Sequence, residues 1–339
     1  MLSIGNVLAI EADTLRPGAV SGQVLYDAGF GVLSSNLSQS MPFLALKIDV
    51  DTLRGTLEGV PALLRLLDQH QLRATFLFSL GPDHTGRALK RVFRPGFLAK
   101  VQRTSVTRHY GLKTLLYGTL LPGPDIGRRA AGPMRDADRA GHETGVHTWD
   151  HVLWQDHVVR KNADWTRRQL QLAAERYGKI FGRPPRVHGA AGWQMNDAAY
   201  VLEQELGFTL ASDGRGTHPF LPVVQGRTLT VPQLPTTLPT LDELIGVGGL
   251  DAHNVADHLL RLSTDGRDHV YTLHAELEGG QLAPVFDRLL QGWKAAGMHC
   301  TSMRDYADSL NPAALPRHAV GMGSIAGRSG TLALQGAAV

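Results

Sequence analysis

Asp49 and Asp51 stand one residue apart at the end of an apolar run, Lys47-Ile48-Asp49-Val50-Asp51. If that run is a strand, positions i and i+2 share a face and both carboxylates point to one side. Such a pair suits metal ligation or proton transfer, and it equally suits two capping or solvated acids. A second constellation, Gly141-His142-Glu143-Thr144-Gly145-Val146-His147-Thr148-Trp149-Asp150-His151, sets His147 and His151 four residues apart. On one helical turn that spacing makes two imidazoles converge. Two histidines and one carboxylate leave positions open on a divalent cation, as metal-assisted hydrolysis requires. His274 ends the run Val270-Tyr271-Thr272-Leu273-His274, which continues Ala275-Glu276, and Asp213 lies in Ser212-Asp213-Gly214-Arg215-Gly216. In a chain with 15 histidines each of these has a structural alternative, and His142, His157, His218, His253 and His299 are assigned to structural roles. Acids and imidazoles after four separate apolar runs are harder to explain one by one.

The elements that must position them alternate. Phe43–Val50 reads as a buried strand, and Val60, Leu63, Leu64 and Leu67 then mark an amphipathic helix. Further strands are expected at Ala74–Leu80, Glu143–His147, Arg186–Gly189, Phe208–Ser212, Thr228–Gln233, His269–His274 and around Cys300. Helical patterns at Asp125–Ala140, Trp165–Phe181, Asp197–Leu206, Val255–Leu262 and Leu282–Ala296 separate them. Strand and helix in turn predict a parallel α/β sheet or barrel, with the acids and histidines on the rim at the C-terminal strand ends. No glycine-rich phosphate loop follows the first strand, so no nucleotide cofactor is expected.

The 339 residues carry 34 Lys+Arg against 31 Asp+Glu, with 43% hydrophobic residues, as in an ordinary globular protein. A single cysteine, Cys300, excludes a disulfide framework and a four-cysteine zinc site. The small net charge of +3 gives no reason to expect a nucleic-acid partner. Residues 1–40 are Gly- and Ser-rich and aperiodic, and read as a loosely ordered extension; patterned sequence begins at Met41, which reads as an alternative start. Glu11 and Asp13 argue against a signal peptide, and no run has the roughly 20 apolar residues of a spanning helix. Residues 312–339 read as a Gly/Ala-rich tail. Between His84 and Pro124 there is no Asp or Glu but eight Lys or Arg, interleaved with Leu, Phe, Val and Tyr. That composition predicts a basic, apolar helical insertion suited to an anionic membrane surface.

With these residues in view, the chain resembles the polysaccharide deacetylases of the NodB-homology type. Asp49 and Asp51 match the family's first motif, His147-Thr148-Trp149-Asp150-His151 its His-(Ser/Thr)-x-x-His, and Leu273-His274 its last. The resemblance implies a distorted (β/α)7-type barrel over 41–311. It also implies one divalent metal (zinc, cobalt or manganese) on Asp51, His147 and His151, with Asp49 as general base and His274 as general acid. Asp213 is then expected to orient His274, and a backbone N–H near Trp193 to face the oxyanion. Runs such as Asp49–Thr56, Ala190–Trp193, Ser212–Gly216, Leu234–Thr240 and Gly323–Arg328 are similar to a narrower subgroup. Its members deformylate a formamido-arabinose polyprenyl phosphate, which implies that glycolipid as substrate, a peripheral place on the cytoplasmic face of the inner membrane, and substrate contacts from Trp193, Arg215 and Arg54. The family's third motif carries an arginine that steadies the base, whereas here the run is Gly189-Ala190-Ala191-Gly192-Trp193. Arg215 is one candidate substitute, and the sequence leaves open what takes that arginine's place. Within the same metal chemistry, deacetylation of another amino sugar is the alternative. A non-catalytic glycolipid-binding protein is another, against which the intact set of acids and histidines argues.

Overall fold

The computed structural model describes residues 41–88, 113–325, 328 and 330–339. The expected N-terminal extension and the middle of the expected insertion, 89–112, lie outside the described residues. From β1 (Phe43–Val50) the chain runs through a wide turn (Gly55–Gly59) and α1 (Val60–His70) to β2 (Thr75–Ser79). Helices α2 (Ile126–Arg129) and α3 (Ala131–Arg139) lead to β3 (Glu143–Thr148). Then α4 (His151–His157) and α5 (Ala163–Phe181) lead to β4 (Val187–His188), and α6 (Asp197–Glu205) to β5 (Leu210–Ala211). A hairpin of β6 (Leu221–Val224) and β7 (Arg227–Thr228) precedes α7 (Leu241–Leu244), α8 (Val255–Ser263) and β8 (His269–His274). The chain finishes with α9 (Ala283–Ala295), β9 (His299–Thr301), α10 (Met303–Ser309), β10 (Arg317–Gly323) and β11 (Leu332–Ala338).

Covered by helices on its outer face, a parallel sheet reads as continuous apolar runs, and seven of the eight residues of β1 are buried. The helices are bounded by ordinary chemistry. Asp150, Asn162 and Asn196 accept from the first free N–H groups of α4, α5 and α6, and left-handed Gly182 ends α5. Val60, Leu63 and Leu67 of α1 pack into the main core with Phe286, Leu289 and Leu290 of α9.

The parallel sheet has the order β5-β4-β3-β2-β1-β8, with β9 added beside the first residues of β1. Its two edges are joined by an extended run after β7. Ala211 N–H donates to Pro232 O at 3.0 Å, Leu234 N–H to Ala211 O at 2.8 Å, and Thr237 N–H to Val270 O at 3.1 Å. Residues 232–237 thus act as the seventh stave of a distorted parallel barrel. The expected Thr228–Gln233 strand is realised as β7 and the start of this stave.

Two expectations change. The C-terminal residues are not a loose tail: β10 and β11 join β6 and β7 in a second, four-stranded sheet, ordered β11-β10-β6-β7. Leu332 and Ala333 are buried, and Arg215 N–H donates to Ala333 O while accepting from Gln335 N–H. The run looked like a tail because Gly and Ala carry little period-2 contrast. Nor do His147 and His151 share a helical turn, since a strand ends between them. No described helix is long and apolar enough to cross a membrane. Truncation before Arg317 is expected to lower Tm by at least about 5 °C in a thermal melt; an unchanged melt would mean that the second sheet adds nothing to the barrel.

Candidate active site

Lys47, Asp49 and Asp51 share one face of β1 and its continuation. The loop carrying Asp51 is held from below by a residue the sequence reading left without a role. Glu276 Oε1 accepts from Asp51 N–H (3.1 Å), Thr52 N–H (2.8 Å) and Thr52 Oγ1 (2.8 Å). Gly55 makes room for it, because a Cβ there would lie 1.9 Å from Glu276 Oε1. Burial, and then the neighbouring Asp51 charge, push the Glu276 carboxyl up to about 8. Leu53 N–H donates to Asp83 Oδ2 at 2.9 Å and fixes the other side of the loop.

His147 comes from the end of β3 and His151 is the first residue of α4, with ring centroids 5.3 Å apart. His147 Nδ1 donates to the Gly189 carbonyl at 2.6 Å, and since a carbonyl only accepts, Nδ1 carries the proton. In the neutral ring Nε2 is then a bare lone pair, 3.2 Å from Asp51 Oδ1, a buried atom with no hydrogen-bond partner. His151 Nε2 lies 3.4 Å from Asp51 Oδ2. Donor atoms of Asp51, His147 and His151 all fall within 4.8 Å of one another. Lone pairs that face each other in a buried site fit a cation between them, and this donor set suits a divalent metal. Burial opposes ionisation of Asp51, but in their protonated forms His151 and His147 outweigh it and hold the carboxyl well below its ordinary value. Asp150 braces the group: one oxygen caps α4 and the other meets His84 Nδ1 at 2.6 Å.

Asp49 is buried beside this group, and its Oδ1 has no hydrogen-bond partner among the described residues. The cation next to it is Lys47 rather than the candidate Arg215: its Nζ is 3.6 Å from Asp49 Oδ2 and donates to Ser212 O at 3.0 Å. Lys47 has no exposure to water and also faces the Trp193 ring, 5.5 Å from its centroid. Gly189 is required here, because a Cβ would come within 2.3 Å of Leu77 Cδ1 and 3.1 Å of Lys47 Cε. Position i−2 on the same strand face was the signal for Lys47 in the sequence.

His274 lies opposite Asp49 in the β1–β8 register. Burial works to lower its pKa, but the charges of Asp242, then Asp51, Asp49 and Glu278, raise it above the ordinary imidazole value. Asp213 was expected to orient His274, and the structure gives it other partners. Asp213 accepts from Ala190 N–H (2.9 Å) and Gln233 Nε2 (2.7 Å) and pairs with His188 Nδ1 at 2.9 Å. Asp213 follows β5, four strands away from β1, and His188 and Glu203 enclose it. Against the cost of burial, Asp213 and Glu203 push His188 up to about 10. These three side chains are also clustered closely enough to suggest metal ligands, but contacts of 2.6 and 2.9 Å to one protonated nitrogen are hydrogen bonds. The group holds the 189–193 loop, and with it the carbonyl that orients His147.

Trp193 keeps a left-handed backbone, φ 54°, uncommon for a bulky residue. Its indole Nε1 donates to Thr236 Oγ1 at 3.1 Å. A backbone N–H near it is expected to face the oxyanion; its own N–H donates to Ala190 O at 3.0 Å. Arg215 lies over the indole at 5.3 Å and Arg328 at 4.4 Å. Arg54 stands on the rim in an ion pair with Glu58 at 2.7 Å. A cavity of 340 Å³ lined by Glu143, Tyr177, Arg183 and Arg304 opens at the opposite strand ends, away from this chemistry.

The polysaccharide deacetylase family model matches residues 44–211. A Shewanella sediminis protein named 4-deoxy-4-formamido-L-arabinose-phosphoundecaprenol deformylase is 38% identical over 252 residues, 74% of this chain and 81% of that one. The chain belongs to the polysaccharide deacetylase family. A Wigglesworthia glossinidia brevipalpis protein of the same name is 29% identical across 83% of this chain and 98% of its own. Solved structures of candidate polysaccharide deacetylases share the fold. One from Mycobacterium smegmatis has a TM-score of 0.58 at 18% identity, covering 84% of this chain and 95% of that one. One from Pseudomonas aeruginosa has a TM-score of 0.56 at 13% identity, covering 80% and 91%.

Replacing His151 or Asp51 with Ala is expected to abolish zinc binding in competition with a chelating dye. Glu276→Ala, which frees the loop but leaves every donor, should weaken it by about 10- to 100-fold; undiminished affinity would mean that the loop holds itself.

Proposed function

We propose that the protein hydrolyses the formamide of undecaprenyl-phosphate 4-deoxy-4-formamido-L-arabinose, releasing formate and the free-amine glycolipid used to modify lipid A. The reading is carried by the Asp51, His147 and His151 donors focused beside a buried Asp49, in a chain so similar to proteins named for that reaction. Asp51, His147 and His151 would hold one divalent ion: zinc, cobalt or manganese. Bound there, it would supply Lewis-acid polarisation of the formyl oxygen and make a water easier to deprotonate.

The chain's own groups divide the proton work. Asp49 accepts the proton of the attacking water, and the Lys47 ammonium holds that carboxylate in place. The water oxygen bonds to the formyl carbon. The C–N bond then breaks as His274 delivers its proton to the departing nitrogen, and formate leaves. A histidine whose pKa is raised by Asp242 stays protonated to higher pH, which suits an acid. Formate release should stop with chelator and return with metal. Asp49→Ala should cost about 10²–10⁴-fold in kcat. Asp242→Asn removes the largest charge that raises His274, so the alkaline limb of the pH–rate profile should move to lower pH. An alkaline limb that stays put would detach Asp242 from the acid.

The glycolipid lies in a bilayer, and residues 84–124 are the segment proposed to meet it at the cytoplasmic face. Support comes from the described edge of that segment, where Leu120 is 81% and Leu121 37% exposed next to the carboxylate-free basic run. Leu120→Glu/Leu121→Glu should reduce co-flotation with anionic vesicles. Equal flotation of the variant would remove this edge from the contact.

A further inference from the structure

Three positive charges gather around Trp193. Asp49 faces Lys47, and Asp242 acts on His274. Among the described residues, the carboxylate that Arg215 and Arg328 pair with is Glu243, and Arg215 Nη2 also donates to Leu238 O at 3.0 Å. Arg215 Nη1 reaches both of its oxygens at 2.9 Å, and Arg328 Nη1 lies 3.1 Å from Oε1. Burial opposes ionisation of Glu243, but the two guanidinium groups outweigh it and keep the carboxyl below its ordinary value. Two guanidinium groups thus share one paired carboxylate.

Both arginines lie over the Trp193 indole, and their side chains are only 10% and 15% exposed. A stacked, partly dehydrated guanidinium is a stronger anion receptor than one in water, and its planar fork matches phosphate. The same indole lies next to Lys47, which touches Asp49. An anion held by the arginines would therefore share the Trp193 wall with the lysine that touches Asp49. Resting on the proposed deformylation, the geometry points to Arg215 and Arg328 as the subsite for the substrate's phosphodiester, a single negative charge between sugar and polyprenol. The second sheet then has a task in binding. Its β10–β11 connection delivers Arg328, and its β11 backbone holds Arg215 on both sides.

Two formamido-arabinose substrates test this, one joined by a phosphodiester to a short prenyl alcohol and one a neutral methyl glycoside. In the full-length, metal-loaded enzyme the kcat/KM ratio between them should favour the phosphodiester. Arg328→Ala should reduce that ratio by about 10- to 100-fold, mainly through KM, with Arg328→Lys in between. Equal losses on both substrates would overturn the proposal and leave the arginines as props for Trp193, as would no loss on either. Calorimetry with farnesyl phosphate, farnesol and inorganic phosphate is the readout independent of turnover. Farnesyl phosphate should bind wild type and lose at least tenfold in affinity to Arg328→Ala, with farnesol indifferent to the substitution. Inorganic phosphate binding as tightly as farnesyl phosphate would overturn the glycolipid assignment. If neither substrate yields formate while farnesyl phosphate still depends on Arg328, the deformylase reading fails and the anion subsite stands.

Discussion

A lysine ammonium sits inside the barrel with no access to water, and much of the site is arranged around that fact. Removing such a charge from water costs several kcal/mol unless partners compensate. Lys47 finds three: the Asp49 carboxylate, the Ser212 carbonyl and the face of Trp193. Each belongs to a different segment, so solvating one cation ties β1 to the end of β5 and to the 189–193 loop. The close approach also demands that position 189 have no side chain, and the carbonyl of that same residue fixes the tautomer of His147. Asp49, His147 and the aromatic wall are therefore set by one buried charge.

What the sequence made legible was local. Asp49 and Asp51 share a face because strands have a period of two. His147 and His151 lie close because only three residues separate them. The alternation of apolar runs and amphipathic helices was enough for the parallel α/β barrel. The partnerships were the part that could not be read. Asp213 and His274 each follow a strand, but which acid meets which imidazole depends on sheet order and on the stave at 232–237, whose few ladder bonds leave no apolar signature. Asp242, the acid that acts most on His274, sits in a four-residue helix too short for periodicity to announce. Arg215 follows an apolar run in the sequence, and in the fold its backbone bridges Leu334 of β11 and Thr236 of the stave.

The supporting acids show how a hydrolytic centre is kept in shape by groups that need not react. Glu276 gathers three donors from the loop that presents Asp51. Glu278, pushed up to about 7 by burial, accepts from the His274 N–H and from Tyr271. Asp213 holds the Ala190 amide, and Asp150 caps the helix that begins with His151. Each stands one contact behind a group assigned to the chemistry, and each satisfies backbone donors that would otherwise be stranded in the interior.

Asp242 and Glu243 are neighbours on a single turn stapled by Thr240, which caps it while Glu243 reaches back to the Thr240 N–H. Successive residues on a helix project about 100° apart, so the turn works as a two-way bracket: the Asp242 charge acts on His274, and Glu243 pairs with the arginines on Trp193. Any force that draws on the arginine arm is felt by the other through one rigid peptide unit. Grip on the far end of a ligand and readiness to release its near end would thus rise and fall together, by leverage in a very small piece of chain.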